Sequence, residues 1–152
     1  MTIEAPLSKY KRTNFKIYIG FCLIVSAWFA YDGYLSRSFY NKHVKDGIAD
    51  DSMKFNRSAP IFLVGLAAVL GWRFHCLVNK KVIAGEDGLI LSNGKKISYD
   101  SIEKIDKTDF SAKGFFELTY KDSNNNETAV RISRKDFDNL DAVLEHLIAK
   151  IS

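Results

Sequence analysis

The sequence has only two cysteines and three histidines in 152 residues, and this scarcity limits the chemistry that the protein can support. Cys22 and Cys76 both lie within hydrophobic stretches, and residues 79–152 contain no cysteine. A disulfide framework and a four-cysteine zinc site are therefore excluded. His75 has no second histidine at helical spacing, so we expect neither haem nor metal ligation there.

Common catalytic motifs are also missing. The chain has no phosphate-binding loop, no dinucleotide-binding glycine pattern, no metalloprotease helix motif and no nucleophile elbow. His146 is the only histidine after residue 79, and its place in a helical pattern is more typical of a structural or surface histidine than of a catalytic one. We therefore predict a protein that is not an enzyme, with no catalytic residue, no cofactor and no metal.

A strongly basic globular surface is absent as well. The net charge is +4, but the first 78 residues hold ten basic and five acidic side chains, whereas the remainder holds twelve and thirteen. The positive charge thus belongs to the N-terminal part. Nucleic-acid binding requires a basic patch on the folded domain, so we exclude it.

Two long hydrophobic stretches are present, at residues 15–35 and 59–78. Each is about long enough to cross a hydrocarbon core of roughly 30 Å as a helix. Neither has a polar face, which a surface helix of a soluble protein would show. The first stretch lacks a small-residue cleavage site and has bulky Trp28 and Phe29 near its end, so it predicts an uncleaved transmembrane helix rather than a signal peptide.

Flanking charges predict the orientation of this membrane hairpin. The basic tail at residues 1–14 and the basic residues after the second stretch favour the cytoplasm for both termini, with the loop 36–58 facing outward. The loop is predicted to be solvated, with a turn at Asp46 and Gly47. The alternative for Asp50, Asp51 and Ser52 is to cap a short helix or to contact a cation.

Small and charged residues suggest contacts within the membrane. Ser26 with Ala30, and Ala67 with Gly71, are spaced for close helix packing. Asp32 and Arg73 end the two uncharged runs. They serve either as interfacial anchors or as contacts to an intramembrane or interfacial partner, which would be another membrane protein or a second copy of the chain.

Residues 79–152 show the pattern of a small α+β domain. Short alternating runs predict five or six antiparallel strands, with Asn93 and Gly94 forming a tight hairpin. A C-terminal helix follows, for which Ser133 and Asp136 form a capping box. Its apolar stripe would cover the open face of a curved sheet or half-barrel. The stripe comprises Phe137, Leu140, Val143, Leu144, Leu147, Ile148 and Ile151.

The runs at residues 86–91 and 93–102 resemble the opening of small bacterial pleckstrin-homology-like (PH-like) domains, and the likeness extends over residues 82–152. Such domains often follow two membrane helices. The resemblance implies a bacterial inner-membrane protein with a non-catalytic module close to the membrane. Related eukaryotic domains bind phosphoinositides through basic residues near the first hairpin, for which the chain offers Lys80, Lys81, Lys95 and Lys96.

Three functions remain open from the sequence. The first is a non-enzymatic, membrane-anchored interaction or scaffold module, an accessory subunit of a larger membrane assembly. The second is a lipid-head-group sensor that uses the four lysines. The third is a subunit of an oligomeric transporter or channel that uses Asp32 and Arg73. The lipid bilayer is an expected partner in all three.

Overall fold

The computed structural model describes residues 2–151, which form two compact units. Residues 1–12 with 76–152 form one unit, here called the sheet unit, and residues 13–75 form the other, the helical unit. The helices are α1 (Lys9–Ala30, continued by a π-helical turn at Tyr31–Leu35), α2 (Arg37–His43), α3 (Asp51–Val78), α4 (Phe110–Lys113) and α5 (Leu140–Ile151). The strands are β1 (Ile3–Pro6), β2 (Val44–Lys45), β3 (Ile48–Ala49), β4 (Lys81–Ala84), β5 (Gly88–Ile90), β6 (Lys96–Ser98), β7 (Ile102–Asp106), β8 (Phe115–Lys121) and β9 (Glu127–Ser133).

The N-terminal segment is ordered structure and differs from the basic tail predicted for residues 1–14. Strand β1 pairs antiparallel with β4, and its Ala5 is fully buried. Helix α1 starts at Lys9, six residues earlier than predicted, because the Ser8 hydroxyl caps it by accepting a hydrogen bond from the Lys11 N–H at 3.2 Å.

The sheet unit contains two antiparallel sheets, ordered β1-β4-β5-β6 and β7-β8-β9. Its seven strands exceed the predicted five or six because β1 joins from the other end of the chain. The predicted α+β class with antiparallel sheets and a C-terminal helix is confirmed. The inner sheet faces and α5 share one core, whose least exposed members include Val82, Leu89, Phe116, Leu118, Leu140, Val143 and Leu147.

The start of the C-terminal helix was predicted wrongly. Ser133 and Asp136 form a turn, and the helix begins only at Leu140. The segment between this turn and Leu140 is held out of the helix by the N-terminal strand region. The backbone N–H of Ser8 donates to the Asp136 carbonyl, and the backbone N–H of Asp138 donates to the Pro6 carbonyl. The predicted apolar stripe is buried from Leu140 to Leu147, whereas Phe137 and Ile148 are half-buried and Ile151 is exposed.

In the helical unit, α1 and α3 run antiparallel, since Phe15 contacts Phe74 and Phe29 contacts Phe55. They are long and apolar enough to span a membrane, over Lys9–Leu35 and Asp51–Val78. Both end where the sequence predicted and begin earlier. Of the predicted small residues, Ser26 and Ala67 are buried, whereas a Cβ on Gly71 would meet nothing within 4 Å.

The segment predicted to be a solvated loop contains secondary structure. It holds α2, the β2–β3 hairpin and the first two turns of α3. The predicted turn is confirmed, with Asp46 at φ +51° and Gly47 at φ +78°, a combination that suits a two-residue hairpin. Asp50 caps a helix as expected, but the helix is the long α3: the Asp50 carboxylate accepts from the Met53 N–H at 2.9 Å.

At Gly33, in the π-helical turn that continues α1, the backbone closely approaches α3. A Cβ there would lie 2.8 Å from the Asn56 carbonyl oxygen, which is backbone and cannot rotate away. We expect Gly33→Ala to destabilise the helical unit by about 1–3 kcal/mol, as overpacking typically does. Thermal unfolding of the full chain in nanodiscs, followed by the fluorescence of Trp28 and Trp72, measures this change. Gly20→Ala is the matched control, because a Cβ at Gly20 meets nothing within 4 Å; equal losses from both variants would contradict the prediction.

Candidate functional site

The four lysines predicted as a head-group site do not form a free basic cluster. Lys81 pairs with Glu4 (Nζ to Oε1, 2.6 Å), and Lys95 pairs with Asp122 (Nζ to Oδ1, 3.1 Å). The Lys95 ammonium also lies 5.0 Å from the Tyr120 ring centre, and its interactions with Tyr120 and then Asp122 raise the pKa of Lys95. Lys80 and Lys96 are exposed. Carboxylates thus offset two of the four charges.

Asp32 and Arg73 lie at opposite ends of the helix pair. Asp32 is in the π-helical turn, next to the first turns of α3, and accepts a hydrogen bond from the Trp28 indole nitrogen at 3.0 Å. Arg73 is exposed near the end of α3, roughly 27 Å further along that helix. The two charges therefore do not pair within one chain.

A residue that the sequence analysis missed, Arg57, joins the two long helices beside Asp32. Its Nε donates to the Gly33 carbonyl at 3.0 Å, and the Tyr34 hydroxyl donates to the Arg57 carbonyl at 2.9 Å. The Arg57 guanidinium also lies 6.0 Å from the Tyr34 ring centre. Carbonyls at the end of a helix lack intrahelical donors, so Arg57 caps the end of α1 from the partner helix. Nothing in the local sequence signals this contact.

A cavity of about 280 Å³ opens at this junction. Its charged lining consists of Asp32, Arg37 and Arg57, and its other lining residues include Tyr40 and Met53. Within residues 2–151 no ion pair involves any of these three charged side chains. The cavity therefore presents two cations and one anion whose charges the described part of the chain leaves unpaired.

A second polar contact organises the start of α3. His43 stacks on Phe39 with ring centres 4.1 Å apart, and its Nδ1 lies 2.7 Å from an Asp50 carboxylate oxygen. The other Asp50 oxygen caps α3. The Met53 N–H, followed by the His43 hydrogen bond, lowers the pKa of Asp50 below its ordinary value of 3.8.

This lowered pKa predicts acid fraying of α3. A group with a depressed folded-state pKa stabilises the fold above its unfolded value, and that contribution is lost as the pH falls through the folded pKa. We therefore expect amide protection in the first turn of α3 to be complete above about pH 5 and to fall below pH 4. Hydrogen exchange, corrected for the intrinsic rate, measures this. Asp50→Asn retains a capping oxygen without a titrating charge, so it should abolish the pH dependence; an unchanged profile in that variant would refute the assignment.

The sheet unit has an open strand edge at β9, which pairs only with β8 among the described strands. The Arg134 N–H donates to the Gly114 carbonyl at 2.8 Å, one position beyond the pair of Phe115 and Ser133. Because antiparallel pairs alternate between bonded and non-bonded, Val130 bonds to β8 whereas the backbone of Ala129 faces the open edge. Ala129 itself is exposed. The edge therefore presents backbone donors and acceptors to an added strand.

Comparison with known proteins adds no assignment, because no family model, no curated protein and no solved structure matches the chain. Among residues 2–151 no group of three or more histidine, cysteine, aspartate or glutamate side chains is arranged to hold a metal ion. His146 lies on α5 with its Nε2 3.1 Å from the Gly85 carbonyl. Since a carbonyl only accepts, the His146 Nε2–H donates, and this histidine ties α5 to the β4–β5 turn.

Proposed function

We propose that the protein is a membrane-anchored, non-enzymatic interaction module, an accessory subunit of a larger membrane assembly. Helices α1 and α3 cross the bilayer, and the PH-like sheet unit, joined to both by continuous chain, binds a partner protein. Both termini lie in the cytoplasm of a bacterial cell, as the flanking charges favour.

The observation that carries the membrane part is the exposure of large apolar side chains on both long helices. Ile24 and Trp28 on α1 are each 70% exposed, and Phe62 and Trp72 on α3 are 75% and 71% exposed. A core helix of a soluble protein would bury such residues. In the most apolar part of each helix, only 11% of the residues are buried in Lys9–Leu35 and only 6% in Asp51–Val78. The hydrocarbon core of a bilayer would cover these exposed apolar side chains.

The observation that supports partner binding is the open edge of β9. An extended segment of a partner can add to such an edge through main-chain hydrogen bonds. The charged side chains flanking Ala129, which include Arg131 bonded to Glu117 at 2.8 Å, limit non-specific pairing. The lipid-head-group sensor receives less support, because two of its four lysines are paired with carboxylates. The transporter or channel subunit also receives less support, because Asp32 and Arg73 lie far apart along the helices.

Two experiments test this proposal. Carbonate washing of native membranes should leave the full chain in the pellet, and release of the intact chain would refute membrane embedding. A photo-crosslinking residue placed at Ala129 should then capture one reproducible membrane protein from native membranes, whereas the same residue at exposed Glu145 on α5 should not. Recovery of the chain without a partner each time would contradict the interaction module.

A substitution at the edge separates the role of β9 from its folding. Ala129→Pro removes an N–H that does not bond to β8, so we expect the sheet to remain folded while co-purification of the partner from native membranes is lost. Ala129→Val retains the N–H and should behave as wild type. Val130→Pro removes a ladder hydrogen bond and should unfold the sheet unit. Retention of the partner by Ala129→Pro would show that another surface binds it.

A further inference from the structure

We propose that the cavity at the junction of α1, α2 and α3 binds a phosphoethanolamine group, with Arg37 and Arg57 contacting the phosphate and Asp32 contacting the primary ammonium. The group is borne by an aminophospholipid or by a soluble phosphoethanolamine. The lipid form rests on the proposed membrane embedding, since the acyl chains must lie against α1 and α3.

The first support is the position of the cavity relative to the apolar surface. Residues 17–31 and 58–72 carry no charge, and at the end of these runs that adjoins α2 the first charges are Asp32 and Arg57. Both line the cavity. Trp28 and Tyr34 are exposed near the cavity. Because tryptophan and tyrosine are enriched at the membrane–water interface, they indicate that the cavity lies at that interface. A lipid whose chains cover the helices would therefore have its head group at the cavity.

The second support is that the two arginines have unused donors. The Arg57 guanidinium is held in place through Nε by the Gly33 carbonyl, and only that one of its nitrogens has a partner among residues 2–151. Arg37 is exposed and forms no ion pair with the same residues. A planar guanidinium can bind two phosphate oxygens at once, and a pre-positioned one loses little entropy on binding.

The third support is the carboxylate in the same cavity. Asp32 accepts from the Trp28 indole through Oδ2, and Oδ1 has no partner among the described residues. A simple phosphate would be repelled by this charge, whereas a zwitterion satisfies both signs. A primary ammonium donates three hydrogen bonds and the trimethylammonium of choline donates none. The site should therefore prefer ethanolamine over choline, and also over glycerol head groups, which carry no amine.

The binding test uses the full chain in nanodiscs that contain equal amounts of ethanolamine, choline and glycerol phospholipids. Native mass spectrometry counts the lipids that the released protein retains. We expect the ethanolamine lipid to be retained about tenfold over the choline lipid, which corresponds to one hydrogen bond to a charged group. Equal retention of the two lipids would overturn the proposal.

Three variants separate the roles of the side chains. Asp32→Asn keeps an oxygen for the Trp28 indole but removes the charge, so the preference for ethanolamine over choline should disappear. Arg37→Gln should lower the retention of all three phospholipids about tenfold, because each carries a phosphate. Lys42→Gln removes a positive charge from the same helix α2 but outside the cavity, and should change neither quantity. An equal effect of Arg37→Gln and Lys42→Gln would show non-specific attraction and refute the site.

A competition arm identifies the source of the group. Soluble phosphoethanolamine at millimolar concentration displaces the retained lipid if the soluble compound is the ligand, and leaves it bound if the acyl chains are required. Absence of binding by both forms, in protein that resists carbonate washing, would refute this site while leaving membrane embedding intact. Release by carbonate would refute embedding, and the soluble arm would then test the cavity by itself.

Discussion

Gly88→Ala should strongly destabilise the sheet unit. Gly88 lies in β5 opposite Ser98 of β6, and a Cβ on it would stand 2.3 Å from the Ile97 carbonyl oxygen and 3.1 Å from the Ile97 carbonyl carbon. These atoms are backbone, so only separation of β5 from β6 relieves the clash. The glycine is needed for close approach of two strands rather than for an unusual φ. We expect a loss of about 3 kcal/mol or more, at the upper end for overpacking.

The measurement is hydrogen exchange of the full chain in detergent, read on peptides from β4, β5 and β6. Opening free energies in the variant should fall together across these strands, because they belong to one cooperative unit. Gly85→Ala, directly after β4, is the matched control: its Cβ would meet the Gly88 carbonyl oxygen at 3.5 Å, an ordinary contact. If Gly88→Ala exchanged as slowly as Gly85→Ala, the close approach of β5 and β6 would be wrong.

Phe116→Ala should be comparably damaging, for the opposite reason. Phe116 is fully buried between the sheets and α5, and its ring packs edge-on against Phe110 at 5.7 Å. Truncation leaves a cavity that the surrounding side chains cannot fill. The expected loss is about 3–5 kcal/mol, a large share of the stability of a small domain.

Phe115 provides the control for this substitution, because it is the adjacent residue and points to the other face of β8. It is only half-buried, and its ring is covered by the Arg131 guanidinium at 4.1 Å. Phe115→Ala should therefore cost only about 1 kcal/mol, the upper range for an exposed cation–π contact. Hydrogen exchange in β8 and β9 measures both losses. If Phe115→Ala and Phe116→Ala lowered the protection of these strands equally, the face of β8 that is assigned to the core would be wrong.

Features with a strong local period could be predicted from the sequence. The alternation at residues 115–120 predicted a strand with Phe116, Leu118 and Tyr120 on one face, and in β8 all three are buried. Helical spacing likewise indicated that Leu140 and Leu147 belong to the core, which is confirmed. Such predictions succeed because side chains repeat every two residues in a strand and every 3.6 in a helix, so burial on one side appears in the sequence.

Features that depend on distant partners could not be predicted. Strand β1 was taken for a tail because four residues, Ile3–Pro6, have no meaning as a strand without β4. The true start of α5 depends on contacts between the N-terminal region and residues 136–139, among them the Asn139 side-chain amide donating to the Glu4 carbonyl at 3.1 Å. The helix junction depends on Arg57 reaching Gly33, 24 residues away.

The candidate sites also combine features that the sequence shows with features that only the fold decides. Lys81 and Lys95 are basic in the sequence, yet the fold places Glu4 and Asp122 beside them and offsets their charge. Arg57 looked like one basic residue of a loop, yet the fold places it in a cavity with Asp32. Charge at a position can be read from the sequence, whereas the field at that position depends on neighbours that only folding supplies.

The amino-acid sequence by itself determined the two long apolar helices and the residues at which they end, the alternation of the strands and the apolar stripe of the last helix. Each follows from local composition and period. The tertiary structure alone decided which strand completes the first sheet, where α5 begins, which charges are paired and where a charged cavity opens. Those outcomes rest on contacts between residues far apart in the chain, whose free energy exists only once the segments have come together.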